Sequence, residues 1–319
     1  MLLLLFPVAM GAGLAMQTAV NSKLRSFTFS SYLSSGFSFL MAWLFLLLLS
    51  LFTHQSLMIS STVFTHNPGW LWLGGLFGAI ALTGNVVLFQ KIGSLQTTVL
   101  PIMGQIVMSV IIDQFGLFKS PNSPLTLAKI LGLGLIIAGV VLSLGILDAE
   151  DAIRKDGKDT QLPIAHDSLI LYQVFAIVAG MLMAIQTAVN GYLGTVLRSP
   201  IHAAFVSFSI GVLCLLIVNL AVSTKFTNLR LAVKQGRHYW WIWIGGIIGA
   251  LYVLCSSWLV PLIGTGQVVV LALFGQLFFS ALVENFGLFA SPKTQITRSK
   301  IIGLCVLFLG VLVVKFISF

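Results

Sequence analysis

The sequence predicts an all-α polytopic membrane protein of about ten transmembrane helices, arranged as two inverted five-helix repeats. Three observations predict it. Charged residues make up 8% of the 319 and hydrophobic residues 58%, with a mean hydropathy of +1.05; a soluble domain carries about 25% charged residues. The apolar residues gather into ten stretches, each near the ~20 residues that cross a bilayer. The second half of the chain repeats the first, motif by motif. A water-soluble fold of this composition would expose far too much apolar surface, so lipid is the fitting solvent.

The ten spans are expected at 2–20, 32–52, 70–90, 96–118, 128–147, 169–191, 202–222, 239–260, 267–290 and 301–317. The shortest breaks are Lys91-Ile-Gly-Ser94 and Pro261-Leu-Ile-Gly264, each a minimal polar interruption between two spans. None of the runs alternates with period two, which excludes spanning strands. The opening segment Met1–Phe6 has no positive n-region and recurs in the middle of the chain, so it reads as part of the first membrane helix, not as a signal peptide. Asp148–Asp167 holds six of the eight acids, together with Arg154, Lys155, Lys158 and Pro163, and reads as a solvated linker. The expected organisation is a first repeat over 1–147, a linker over 148–168 and a second repeat over 169–319.

Collinear identities carry the repeat. Gly11–Asn21 matches Gly180–Asn190 at seven of eleven positions, including Gln-Thr-Ala-Val-Asn in both. Ser38-Phe39 falls on Ser207-Phe208, and Gly74-Gly75 on Gly245-Gly246 after a two-residue slip. Leu100–Pro121 matches Leu271–Pro292 at ten of twenty-two positions, including Gly-Gln and Phe-Gly-Leu-Phe. Five spans per half is an odd number, so the second half enters from the opposite side. That is the inverted plan of many secondary transporters, with the site near the midplane between the halves.

Lys and Arg counts set the orientation. One face would hold thirteen, including Lys23, Arg25, Lys91, Lys225, Arg230, Lys234 and Lys300; the other would hold Lys119, Lys129, Arg198 and Lys315. The first face is expected in the cytoplasm, with the linker; both termini are then outside. The net charge of +9 is thus spread over short loops. It forms no basic block with interleaved aromatics, and nucleic acid is excluded as a partner. Cys214, Cys255 and Cys305 lie apart inside apolar runs, without metal or disulfide spacing.

The doubled five-helix plan, the Gln-Thr-Ala-Val-Asn first span and the Gly-Gln…Asp/Glu-x-Phe-Gly-Leu-Phe fourth span resemble the drug/metabolite transporter superfamily, and within it the YdcZ-like branch. Members of that branch are often single five-helix units, and this chain is similar to two fused. The resemblance covers nearly all of the chain outside the linker. It implies a transporter-type bundle in the plasma (inner) membrane of a bacterium and leaves the substrate open.

Asp113 and Glu284 are the two acids within spans, at equivalent repeat positions. A carboxyl inside a membrane is a functional hypothesis by default. Proton coupling or gating is one reading; helix-end hydrogen bonding or an inter-repeat contact is the other. Gln105, Ser109 and Asp113, spaced i, i+4 and i+8, share a helix face, as do Gln276, Ser280 and Glu284. Such a stripe lines a cavity or joins helices by hydrogen bonds. Gln17 and Asn21, matched by Gln186 and Asn190, form neutral amide pairs suited to a polar solute or to packing. Asn85 and its mate Ser256 are further cavity candidates. Gly11-x-x-x-Ala15 and Gly180-x-x-x-Ala184 allow close helix approach. Trp70, Trp72, Trp240, Trp241 and Trp243 cluster at span starts, as interfacial belts do.

No HExxH, phosphate loop or dinucleotide fingerprint occurs, and no nucleophile–base pair stands out. No cofactor or metal is expected, and an enzyme is not. The expected function is secondary transport of a small metabolite or drug-like solute, as an exporter or exchanger, with protons as candidate coupling ion. The alternatives are a non-transporting accessory or structural subunit and a lipid-handling protein. A monomer suffices, since one chain holds both halves; a homodimer stays open.

Overall fold

A computed structural model describes residues 2–55, 57–143, 166–235, 238–291, 293 and 296–316. Eleven α-helices occur among them: α1 (Leu5–Thr28), α2 (Ser31–Phe52), α3 (Ser61–His66), α4 (Gly74–Phe115), α5 (Leu127–Ser143), α6 (His166–Val196), α7 (Pro200–Ala221), α8 (Asn228–Gln235), α9 (Gly245–Ile263), α10 (Thr265–Phe286) and α11 (Arg298–Phe316). The helices α2, α6, α7, α9 and α10 are each long and apolar enough to cross a membrane unaided. The charged segment 148–165 lies outside the described residues, and α6 begins three residues before the expected boundary at 169.

The repeated motifs start and stop the same helices in both halves. Ser30 caps α2, its Oγ accepting from the Leu33 amide at 3.2 Å; its repeat mate Ser199 caps α7 through His202 at 3.1 Å. Each hydroxyl satisfies one of the free N–H groups at a helix start. Phe-Gly-Leu-Phe is a helix stop. Gly116 and Gly287 take φ of 60° and 64° and close α4 and α10 with left-handed caps, donating to Ile112 and Val283. Glycine suits that conformation because it has no Cβ to clash. The next turn projects Phe118 against Trp70 at 5.3 Å and Phe289 against Trp241 at 5.6 Å. Two of the predicted belt tryptophans thus also brace the end of the fourth span.

One expected break takes a different form. The helix α4 runs from Gly74 to Phe115 without interruption at Lys91–Ser94. A straight helix of 42 residues would be about 63 Å long, yet Trp70 and Phe118, just beyond its two ends, touch. The helix therefore folds back on itself. Its contacts with α6 trace the path: Gly74 meets Asn190, Gly78 meets Gln186 and Gly84 meets Phe175 on the way in. On the way back Pro101 meets Gly180, and Ile112 packs with Ala184 and Ala188. The third and fourth spans are thus two arms of one helical segment. In the second half the corresponding joint is an open break at Gly264, where φ is 85°.

The internal two-fold is visible in reciprocal contacts. Gly11 lies on the Ala272 carbonyl and Gly180 on the Pro101 carbonyl; Gly275 lies on Val8 and Gly104 on Ile177. Gly75 meets Ser207, and Gly246 meets Ser38. At each of these positions a Cβ would overlap backbone atoms of the other half. Lipid tails are as apolar as leucine, so helices here associate by close packing, which small residues permit. The fifth spans α5 and α11 run antiparallel, with Gly132 on Val314 and Gly303 on Ser143. On another side Trp43 Nε1 of α2 donates to Ser209 Oγ of α7 at 2.9 Å. The chain is an all-α polytopic membrane protein of about ten spans in two inverted five-helix repeats.

Candidate functional site

The amide pairs sit where the halves meet. Gln17 and Asn21 on α1 face Gly249 and Gly245 of α9; Gln186 and Asn190 on α6 face Gly78 and Gly74 of α4. A Cβ on any of these four glycines would press into the amide. The i, i+4 spacing of the amides therefore meets an i, i+4 spacing of glycines on the opposing helix. Asn21 Oδ1, Gln186 Oε1 and Asn190 Oδ1 are buried and accept no hydrogen bond. Leaving a buried acceptor unpaired costs about 1–3 kcal/mol, so these oxygens are candidate contacts for a hydrogen-bond donor.

Beside Gln186, Thr187 donates to the Met183 carbonyl of its own helix at 3.0 Å and faces the buried Tyr252 of α9. Sequence reading missed Tyr252, whose repeat mate is Ala81. Ser256 is buried and donates to the Val253 carbonyl of its own helix at 2.9 Å. The backbone of Asn85 lies in α4, but its side chain is outside the described residues.

The polar stripe on the fourth span leads to a second arrangement. Gln105 is half-buried, while Ser109 is fully buried and donates to Ile106 at 2.9 Å. At its end Asp113, 7% exposed, reaches the start of α10. The Thr265 amide donates to Asp113 Oδ1 at 2.9 Å and the Gly266 amide to Oδ2 at 2.8 Å. Ser120 Oγ donates to Oδ1 at 3.2 Å and lies 2.9 Å from Thr265 Oγ1. A carboxylate on the free N–H groups of a helix start satisfies them and complements the helix dipole. Gly264 and Gly266 leave room for the carboxylate. Asp113 in the first half thereby clamps the joint between α9 and α10 in the second.

Two lysines complete the arrangement. Lys129 Nζ donates to Ser123 Oγ and to the Pro124 carbonyl, both at 2.7 Å, and with Asp113 it lines a cavity of about 40 Å³. That is room for a few waters. In the other repeat Lys300 pairs directly with Glu284, whose side chain is 40% exposed. The half-buried Gln276 and Ser280 precede it on α10. Each lysine follows its acid by sixteen residues, since Lys129 and Lys300 are repeat mates. The same offset that linked the acids would have found them; sequence reading had counted them only as orientation charges. One motif thus appears in two states: a carboxylate clamped on a helix start, and a carboxylate paired with its lysine.

The family described as "Putative inner membrane exporter, YdcZ" matches residues 2–142 and again 171–313. Among curated proteins, none matches the chain. A crystal structure described only as that of a protein aligns over 98% of both chains, with a TM-score of 0.64 and 14% identity. That likeness concerns the fold alone.

Proposed function

Because the chain belongs to the YdcZ family of the drug/metabolite transporter superfamily, with each half matching the family in turn, we propose that it is a secondary transporter working by alternating access between its two halves. The family makes it a membrane transporter; the mechanism is our reading. It would act as an exporter or exchanger of a small metabolite or drug-like solute. One observation carries the reading: the internal two-fold is broken at the acids, with Asp113 holding α10 while Glu284 is held by Lys300.

A transporter needs two conformations, one closed to each side. Inverted repeats supply them when the halves exchange states. The Asp113 clamp closes the face opposite the one rich in Lys and Arg. In the exchanged state Asp113 turns to Lys129, and Glu284 leaves Lys300 for the helical segment that joins the third and fourth spans. The halves part along the glycine–amide seams, and Gln17, Asn21, Gln186 and Asn190 meet the solute there, with Gln105, Gln276, Ser109, Ser280 and Ser256 along the path. Lys and Arg are missing from the span interiors, which suits a neutral or cationic solute over a strongly anionic one. Protons enter through the same acids: a protonated Asp113 loses its charge and becomes a donor at one oxygen, which loosens the clamp.

Uptake into liposomes containing purified protein tests this, with a metabolite panel run with and without a pH gradient. We expect gradient-dependent movement of at least one solute, lost in Asp113→Asn and in Glu284→Gln. Uptake indifferent to the gradient and to both substitutions would remove the carboxylate mechanism and leave facilitated diffusion. A folded preparation that moves no solute would favour an accessory subunit.

A further inference from the structure

We propose that the outer groove between α2 and α7 holds an acyl chain of an anionic phospholipid whose phosphate rests on Arg230 and Lys234. The groove has a volume of about 230 Å³ and is walled by Leu33, Phe37, Leu40, Leu216, Phe226 and Leu229, among others. Phe226 and Leu229 also wall the recess that contains Arg230 and Lys234. An apolar slot and a basic recess are therefore continuous, in the order of a lipid's tail and head.

The helix α8 that carries the two cations is fixed to the bundle. Ala232 is fully buried with Leu24 and Ile242, and Asn228 Nδ2 donates to the Thr28 carbonyl at 2.9 Å. Arg230 and Lys234, one turn apart and both exposed, then project from an anchored platform. At the groove wall Asn219 is 2% exposed; its Nδ2 donates to Tyr32 and Leu215, while its Oδ1 has no partner. The acids with described side chains are engaged elsewhere, Asp113 on α10 and Glu284 with Lys300.

The other repeat serves as an internal control. There α3 (Ser61–His66) also joins the second and third spans, and it contains no Lys or Arg. The fold does not require cations at this place; they stand on the face that the Lys and Arg count assigns to the cytoplasm, and here they adjoin an apolar slot. Clustered cations beside a membrane surface recognise anionic headgroups. A free phosphate would use the cations alone and leave the groove empty.

Native mass spectrometry of the full chain, delipidated in detergent and titrated with phosphatidylglycerol or with phosphatidylcholine of the same chains, tests the proposal. One phosphatidylglycerol is expected to be retained preferentially, with inorganic phosphate a poor competitor. The preference should fall about ten-fold or more in Arg230→Ala/Lys234→Ala, while Leu40→Trp, which fills the groove, should weaken both lipids alike. Equal retention of the two lipids, or a preference that survives the double substitution, overturns the site. So does effective competition by phosphate, or a preference that emerges only after the linker acids are neutralised, which would give the patch to the linker. None of these outcomes depends on transport.

Discussion

Asp113 and Glu284 occupy one repeat position twice, and their surroundings differ in cost. Asp113 is buried with three hydrogen bonds to its carboxylate. Hydrogen bonds to a charged group contribute about 1.5–3 kcal/mol each where buried. Glu284 makes a partly exposed ion pair, a class worth about 0–1 kcal/mol. Asp113→Asn places an amide NH₂ against a backbone N–H and should lower stability by about 2 kcal/mol or more. Glu284→Gln should cost under about 1 kcal/mol. Thermal unfolding in one detergent would rank the two, and equal shifts would argue against the clamp. Asn190 offers a test in the other direction. Its Oδ1 is buried and unpaired, so Asn190→Leu should raise stability by about 1–3 kcal/mol while reducing uptake. A variant that gains stability and still transports normally would take Asn190 out of the solute path. Both acids and both amide pairs were legible from the repeat alone. What Asp113 holds was not, because Thr265 comes 152 residues later and only the folded bundle brings it near. Tyr252 was invisible for a related reason: its repeat mate is Ala81, so the symmetry that exposed the other candidates passed over it.

At the scale of elements, the proposed rocking of the halves would load the joints between third and fourth spans. Gly264 has φ 85° and ψ 158°, a region open to glycine and costly by about 1–3 kcal/mol for other residues. Gly264→Ala also presses a methyl onto the Asp113 carboxylate. We expect that variant to melt earlier than wild type and to free Asp113. A cysteine placed at Thr265 should then react faster with a water-soluble maleimide, in a background lacking Cys214, Cys255 and Cys305. Unchanged labelling would mean that the joint and the clamp are independent. The helix-stop role of Phe-Gly-Leu-Phe follows from its glycine and was within reach of the sequence. The fold-back of α4 was only half legible. The polar residues at Lys91–Ser94 mark where direction must change, but hydropathy reports solvent exposure and not whether helical hydrogen bonding stops there. Disulfide trapping between cysteines at Trp70 and Phe118 tests the fold-back: ready cross-linking is expected, and its failure would indicate a straight α4.

Across the whole molecule, the amino-acid composition settled the solvent, and the offset between repeats settled the symmetry. The seams themselves were only partly foreseen. Gly11 and Gly180 stood out as small-xxx-small steps, whereas Gly74, Gly78, Gly245 and Gly249 gain meaning only opposite the amides they receive. A glycine in a sequence shows that space is available, and the structure shows what fills it.

The reciprocity of the glycine contacts has a consequence for how such a chain could come to exist. The glycine seams described above pair a surface of one half with the mate of its own opposing surface, as Gly132 on Val314 is answered by Gly303 on Ser143. Either half is therefore complementary to an upside-down copy of itself. A chain severed within 148–165 should reassemble from two co-expressed fragments, and an ancestral half inserted in both orientations would already have carried both sides of the joint. Fusion would make permanent a pairing that two independent polypeptides could form, and would free the two copies to diverge, as Ala81 and its mate Tyr252 have.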